Sequence, residues 1–179
     1  MIDPGRLKYL GEEVVECVAC GKKSFNIKYY LYEVPYFGNI VLEIGRCERC
    51  GFRRNDVSIV DVGSPVRIIV KIKGKKGLDA LVVKASTATI KIPELGIEIT
   101  PGPIAPGYIT TIEGVLMNIL DVIPSECFNE ENPCNNKVKE LEKALKGELA
   151  FTLIIEDPLG KSDVKGEEIE VIKEKITQP

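Results

Sequence analysis

The sequence predicts a mainly β chain in two parts, a small cysteine-pinned ribbon and a larger β-domain interrupted by one helical hairpin. Three observations predict it. Two identical knuckles, Cys17-Val-Ala-Cys20-Gly21 and Cys47-Glu-Arg-Cys50-Gly51, lie in the first third of the chain. Short runs of branched and aromatic residues alternate at period two over most of the length. Helical spacing of apolar residues occurs only between Thr110 and Gly147. On this reading the ribbon covers 1–56 and the β-domain 57–179, with the hairpin inserted at about 108–147.

The knuckles carry the chemistry. Two intervening residues let one tight turn aim both sulfurs at a single ion, and the glycine that follows permits a left-handed backbone. Cys17, Cys20, Cys47 and Cys50 can close a tetrahedral thiolate shell around one structural Zn²⁺ with no position left for water. One CxxC alone would be ambiguous, because redox dithiols use the same spacing. Two disulfides, or free thiols, are the plain alternative to a metal site. A redox pair would leave the second knuckle without a reason.

Within the ribbon, Glu12–Glu16 enters the first knuckle as a short strand. Asn26–Val34 alternates Ile27, Tyr29 and Leu31, Val34-Pro35-Tyr36-Phe37-Gly38 turns, and Ile40–Ile44 returns to Cys47. Beyond it, strands are expected over Val57–Val62, Val66–Lys73, Leu81–Ala85, Thr89–Ile92 and Ile97–Thr100. Gly74–Gly77 reads as a turn and Pro101–Gly107 as a stiff loop. Thr110 and Glu113 have capping-box spacing ahead of an apolar stripe of Ile112, Val115, Leu116, Ile119 and Leu120. Asn135 or Asn136 can cap a second helix with Val138, Leu141 and Leu145 inward, ending at Gly147. Strands resume at Glu148–Glu156, followed by an Asp157–Gly160 turn, and Glu168–Ile176 is a charged edge strand.

Composition limits the function. The chain has 179 residues, no Trp and no His. Without histidine, Ser-His-Asp, Cys-His and His-rich metal chemistry are excluded, and a cupin-like metal enzyme has no ligands. A non-enzymatic role follows, with no small-molecule substrate. No apolar run approaches the ~18 residues of a membrane span, and the N-terminus has no signal-peptide shape. A cytoplasmic location is expected, where thiols stay reduced. Gln occurs once, and Lys, Glu and Ile are plentiful, a thermophile-like balance. Residues 17–54 hold seven basic side chains against Glu33, Glu43 and Glu48, whereas the formal net charge of the chain is −3. A mildly basic ribbon beside an acidic body argues against non-specific nucleic-acid binding.

The knuckles, Val34-Pro-Tyr-Phe-Gly38 between them, and Cys47-Glu-Arg-Cys-Gly-Phe-Arg-Arg-Asn-Asp-Val57 resemble the ZPR-type zinc-finger family (zinc-finger protein one) in a single-unit archaeal form. Ile92–Glu98, Thr110–Gly114 and Phe151–Gly160 fit the same family in order, over about residues 12–165. The resemblance implies a zinc ribbon followed by a double-stranded β-helix with a two-helix insertion. It also implies a protein partner, the GTPase elongation factor that delivers aminoacyl-tRNA, for which the family is implicated as a folding chaperone.

Individual residues keep two readings each. Tyr36, Phe37 and Phe52 pack under the knuckles, or Tyr36 and Phe37 are exposed binding anchors. Arg53 and Arg54 form a solvated face, or contact an acidic partner or RNA. Cys127 and Cys134 are free thiols or a local disulfide across the helical turn. A nucleic-acid-binding ribbon, prompted by the seven basic residues, is the rival to the protein-binding module.

Overall fold

The structure is a computed structural model that describes residues 7–34, 37–60 and 63–176. The first strands are β1 (Leu7–Glu16), β2 (Lys23–Val34), β3 (Gly38–Cys47) and β4 (Arg53–Ile59). They form one antiparallel sheet in the order β1-β2-β3-β4. The expected hairpin is therefore a four-stranded meander. The reason is local. Each CxxCG knuckle sends the chain back antiparallel to the strand it left, so β2 pairs with β1 across the first knuckle and β4 with β3 across the second. The strand expected over Val57–Val62 begins four residues earlier, at Arg53. Asp61 and Val62 fall outside the described residues, as do Pro35 and Tyr36.

The body follows as β5 (Val66–Ile72), β6 (Leu81–Lys84), β7 (Thr89–Ile92), β8 (Ile97–Ile99) and β9 (Tyr108–Thr111). Helices α1 (Ile112–Val122) and α2 (Asn135–Leu145) come next, then β10 (Phe151–Asp157), β11 (Asp163–Lys165) and β12 (Glu170–Lys175). A five-stranded sheet runs β12-β5-β10-β7-β8 and a three-stranded sheet β11-β6-β9. The Pro101–Gly107 loop carries the chain from the first sheet to the second. As expected, β12 is an edge strand, and its partner is β5.

Period two explains the packing. On β10, Phe151, Leu153, Ile155 and Asp157 are buried while the residues between them are half-exposed. Those apolar side chains meet Ile68, Val70 and Ile72 of β5, Ile90 and Ile92 of β7, and Val82 of β6 in one core. Each such burial stabilises by about 1.5–3 kcal/mol before entropy is counted. Ile112, Val115, Leu116 and Ile119 of α1 complete that core with Leu141 and Ala144 of α2. On the outer face, Glu156 of β10 joins its two neighbours: Arg67 Nη2 of β5 lies 2.8 Å and Lys91 Nζ of β7 3.0 Å from its carboxylate.

The helix ends differ from expectation by one residue. Thr111, one beyond Thr110, caps α1, its hydroxyl accepting the Gly114 N–H at 3.1 Å. Thr110 is held in β9, opposite Val82. Asn135 lies inside α2 and donates its side-chain amide to the Cys127 carbonyl oxygen at 3.0 Å. The end of α2 is as read: Gly147 takes φ 74°, and Gly147 N–H and Glu148 N–H return to the Ala144 and Lys143 carbonyls. Between the helices Cys127 and Cys134 form a disulfide. Gly74–Gly77 opens a 3₁₀ turn over Lys75–Asp79. The sequence reading did not include β9 or β11, which have four and three residues.

Asp157, read as a turn residue, is fully buried. Its carboxylate accepts the N–H groups of Leu159 and Lys161 at 3.0 and 2.7 Å and the Thr87 hydroxyl at 3.2 Å. It ties the turn after β10 to the chain between β6 and β7. No helix among the described residues is long and apolar enough to cross a membrane.

Candidate metal centre

The two knuckles meet because β2 and β3 are in register from Val34 and Gly38 back to Phe25 and Cys47. The first knuckle precedes β2 and the second follows β3, so both reach the same end of the sheet. Their backbones match. Gly21 N–H donates to Cys17 O at 2.7 Å and Gly51 N–H to Cys47 O at 3.0 Å. Cys17 N–H donates to Lys22 O and Cys47 N–H to Phe52 O, both at 2.8 Å. Gly21 and Gly51 adopt φ of 64° and 75°, the left-handed conformation foreseen for them.

All four sulfurs lie within 4.8 Å of one another. Cys17 Sγ is 3.7 Å from Cys50 Sγ, and Cys20 Sγ is 3.8 Å from Cys47 Sγ. A tetrahedron with Zn–S bonds of about 2.3 Å has edges of about 3.8 Å. A disulfide needs sulfurs at about 2.05 Å. The spacing fits one Zn²⁺ shared by the two knuckles, since the 3.7 and 3.8 Å pairs both cross between them. With all corners taken by sulfur, the ion has no open position for substrate.

The surroundings favour the thiolate at Cys47 and oppose it at Cys50. The Ser24 hydroxyl, 3.2 Å from Cys47 Sγ, holds that thiol down to about 6, helped by backbone N–H groups of Cys50 and Arg49. The Phe52 backbone also draws Cys50 down. The neighbouring Cys47, burial, Cys17 and Cys20 outweigh it and push Cys50 up to about 12. Clustered within 4.8 Å, thiolates repel one another, and a cation offsets that repulsion. Zn²⁺ supplies the compensating charge and releases the remaining protons on binding.

Beneath the sulfurs, Cys17, Phe25 and Cys47 are buried together, with Phe52 packed against them. The Phe25 and Phe52 rings are 5.7 Å apart. Gly45 makes room for this. A Cβ there would stand 2.3 Å from Phe25 Cζ and 2.9 Å from the Arg54 carbonyl oxygen.

The remaining expected residues scatter. Phe52 packs under the knuckles, as one reading held. Phe37 lies at the other end of the sheet, half-buried against Val34, Ile40, Val57 and Val83 where the ribbon meets the body. Tyr36 lies outside the described residues. Arg53 is exposed and faces Arg46, also exposed, across β3 and β4. Arg54 turns inward, its Nη2 donating to Ser86 Oγ at 3.3 Å.

Sequence reasoning missed the seam that positions the site on the body. Asp56 Oδ1 accepts the Val57 N–H at 2.8 Å and the Ser86 N–H at 3.1 Å, and Asp56 Oδ2 accepts the Ser86 hydroxyl. Gly107 passes directly beneath; a Cβ there would stand 2.1 Å from Asp56 Oδ1. No local signal joins Asp56 to a serine thirty residues on. Ser24 is missed for the same reason, since only the β2–β3 register brings it to Cys47.

A four-sulfur centre on an antiparallel ribbon, joined to an all-β body with a helical hairpin, defines a zinc-ribbon protein. The model of the ZPR1 zinc-finger domain matches residues 12–61, and that of the ZPR1 jelly-roll domain matches 76–178. The chain belongs to the ZPR1 family. It is 40% identical to a ZPR1-like protein of Methanocaldococcus jannaschii over 162 residues, 87% of this chain and 82% of that one. It is 34% identical to a ZPR1-like protein of Pyrococcus horikoshii, over 86% of this chain and 73% of the other. The zinc finger chaperone zpr1 of Schizosaccharomyces pombe is 32% identical over 82% of this chain, which spans 34% of that protein's length.

Proposed function

We propose that the chain is a non-enzymatic, cytoplasmic interaction module that binds the aminoacyl-tRNA-delivering elongation factor GTPase and assists its folding. The observation that carries this reading is the closed sulfur shell, which leaves zinc a structural role and the surface as the working part. The relative from Schizosaccharomyces pombe is named a chaperone. Exposed Arg46 and Arg53, side by side on the ribbon, offer a basic face to an acidic partner.

Light scattering of the zinc-loaded chain with the cognate elongation factor tests the reading. A defined complex, and a higher yield of active factor on refolding in its presence, are expected. No complex with either the folded or the refolding factor would reject it. The Arg46–Arg53 pair also favours a second reading, a nucleic-acid-binding ribbon. Binding to RNA or DNA would then fall steeply with salt, and the absence of binding at low salt would remove that reading.

A further inference from the structure

A cleft of about 270 Å³ opens on the body beside α1. Ala88, Ile90, Val115 and Ile119 line its inner part and are all buried, while exposed Val122 stands at its rim with the Pro101–Pro106 loop. The walls are almost wholly hydrocarbon. One charged side chain lines it, Lys84 at the end of β6, only 5% exposed.

The Lys84 ammonium is under-used. It donates to the Ala85 carbonyl oxygen at 3.0 Å and lies 5.6 Å from the Tyr108 ring centroid. An ammonium has three donors, and no carboxylate among the described residues forms an ion pair with it. Burial pushes the Lys84 ammonium below its ordinary value, and Asp56 and Asp157, which favour its charge through space, offset this only in part. Their oxygens, however, are taken by Ser86 and Val57, and by Thr87, Leu159 and Lys161. A buried charge with spare donors is costly to keep. In an apolar cleft it is a recognition element for an anion on a hydrophobic stem.

We infer that this cleft binds a small organic monocarboxylate with an apolar chain, its carboxylate on Lys84 Nζ and its chain between β7 and α1. The volume lies just below the usual range of ligand cavities and suits about eight to ten heavy atoms. A single ammonium can pair directly with one carboxylate, and the negative charge of Asp56 and Asp157 nearby disfavours a dianionic phosphate. Burial pushes Tyr108 up to about 12, so its phenol stays a neutral neighbour. This site is independent of the elongation-factor reading, and its test involves no protein partner.

Octanoate is the probe, titrated into the zinc-loaded, methyl-labelled full chain and followed by NMR, with 1-octanol as the uncharged control. Saturable shifts at Ile90, Ile99, Val115 and Ile119 are expected, with octanol at least about tenfold weaker because it lacks the charge-assisted hydrogen bond. Lys84→Met should erase the preference for octanoate while octanol still binds. Should Lys84→Met not fold, Val122→Glu at the exposed rim decides, because added negative charge should weaken octanoate more than octanol. Equal binding of the two probes, shifts elsewhere, no binding at millimolar octanoate, a preference that survives folded Lys84→Met, or a preference undiminished in Val122→Glu would overturn the inference.

Discussion

The ribbon and the body solve the same problem by different means. Twenty buried apolar residues form the main core of the body. At the metal end of the ribbon only three are buried together, and two of them, Cys17 and Cys47, are thiols of the metal shell. A sheet of that size cannot offset its ordering entropy with hydrocarbon alone. The ion substitutes for a core, because structural zinc contributes its binding energy to folding. The contrast teaches that apolar content averaged along the chain hides which part stands by itself.

The largest test removes the ion. Cys47→Ser, or prolonged chelation of the wild type, should forfeit much of the ~10 kcal/mol that structural zinc contributes to such folds. Metal analysis should fall from one zinc per chain toward none, and calorimetry should show the ribbon's transition lost while a body transition persists. A single unshifted transition would break the comparison. Leu153→Ala is its mirror image. It should cost the body about 2–5 kcal/mol, with zinc content unchanged, read from denaturant unfolding.

The seam comes next. Asp56→Ala removes the acceptor for two Ser86 donors and should cost about 1.5–3 kcal/mol. Calorimetry should then resolve two transitions further apart than in the wild type. Gly45→Ala drives a methyl into the Phe25 ring and the Arg54 carbonyl. A loss of about 1–3 kcal/mol, confined to the ribbon transition, is expected.

The smallest effect is electrostatic and belongs to the body. Lys91 foremost, against the opposing pull of burial and together with Arg67, holds the Glu156 carboxyl below its ordinary value of 4.5. A depressed folded-state value means the stabilisation is present above the ordinary value and fades as pH falls through the depressed one. Glu156→Gln should therefore lower stability by less than about 1 kcal/mol at neutral pH and change nothing in strong acid. Urea titrations at both pH values measure the difference.

What was legible in the sequence follows the range of the interactions. The knuckles, their glycines, the α1 stripe and the alternation on β10 are written within a few residues and were readable. Thr110 mimicked a cap because two threonines stand together, both paired with β6, and only the Gly114 N–H bond to the Thr111 hydroxyl decides between them. The Cys127–Cys134 pair allowed two states, since spacing alone does not bond two thiols. Asp56 with Ser86, Ser24 with Cys47, and Lys84 beneath its cleft depend on register between distant strands. A period of two does not carry that information.

The strand that leaves the second knuckle does not stop at the metal. By Val57 it has entered the cluster with Val34, Ile40 and Val83 that joins the two halves. Unravelling the zinc end would therefore peel the cover from an oily join and lay bare a ready template for misassociation. Starved of its ion, a protein of this build would become a candidate for the very quality-control machinery that attends to half-folded chains.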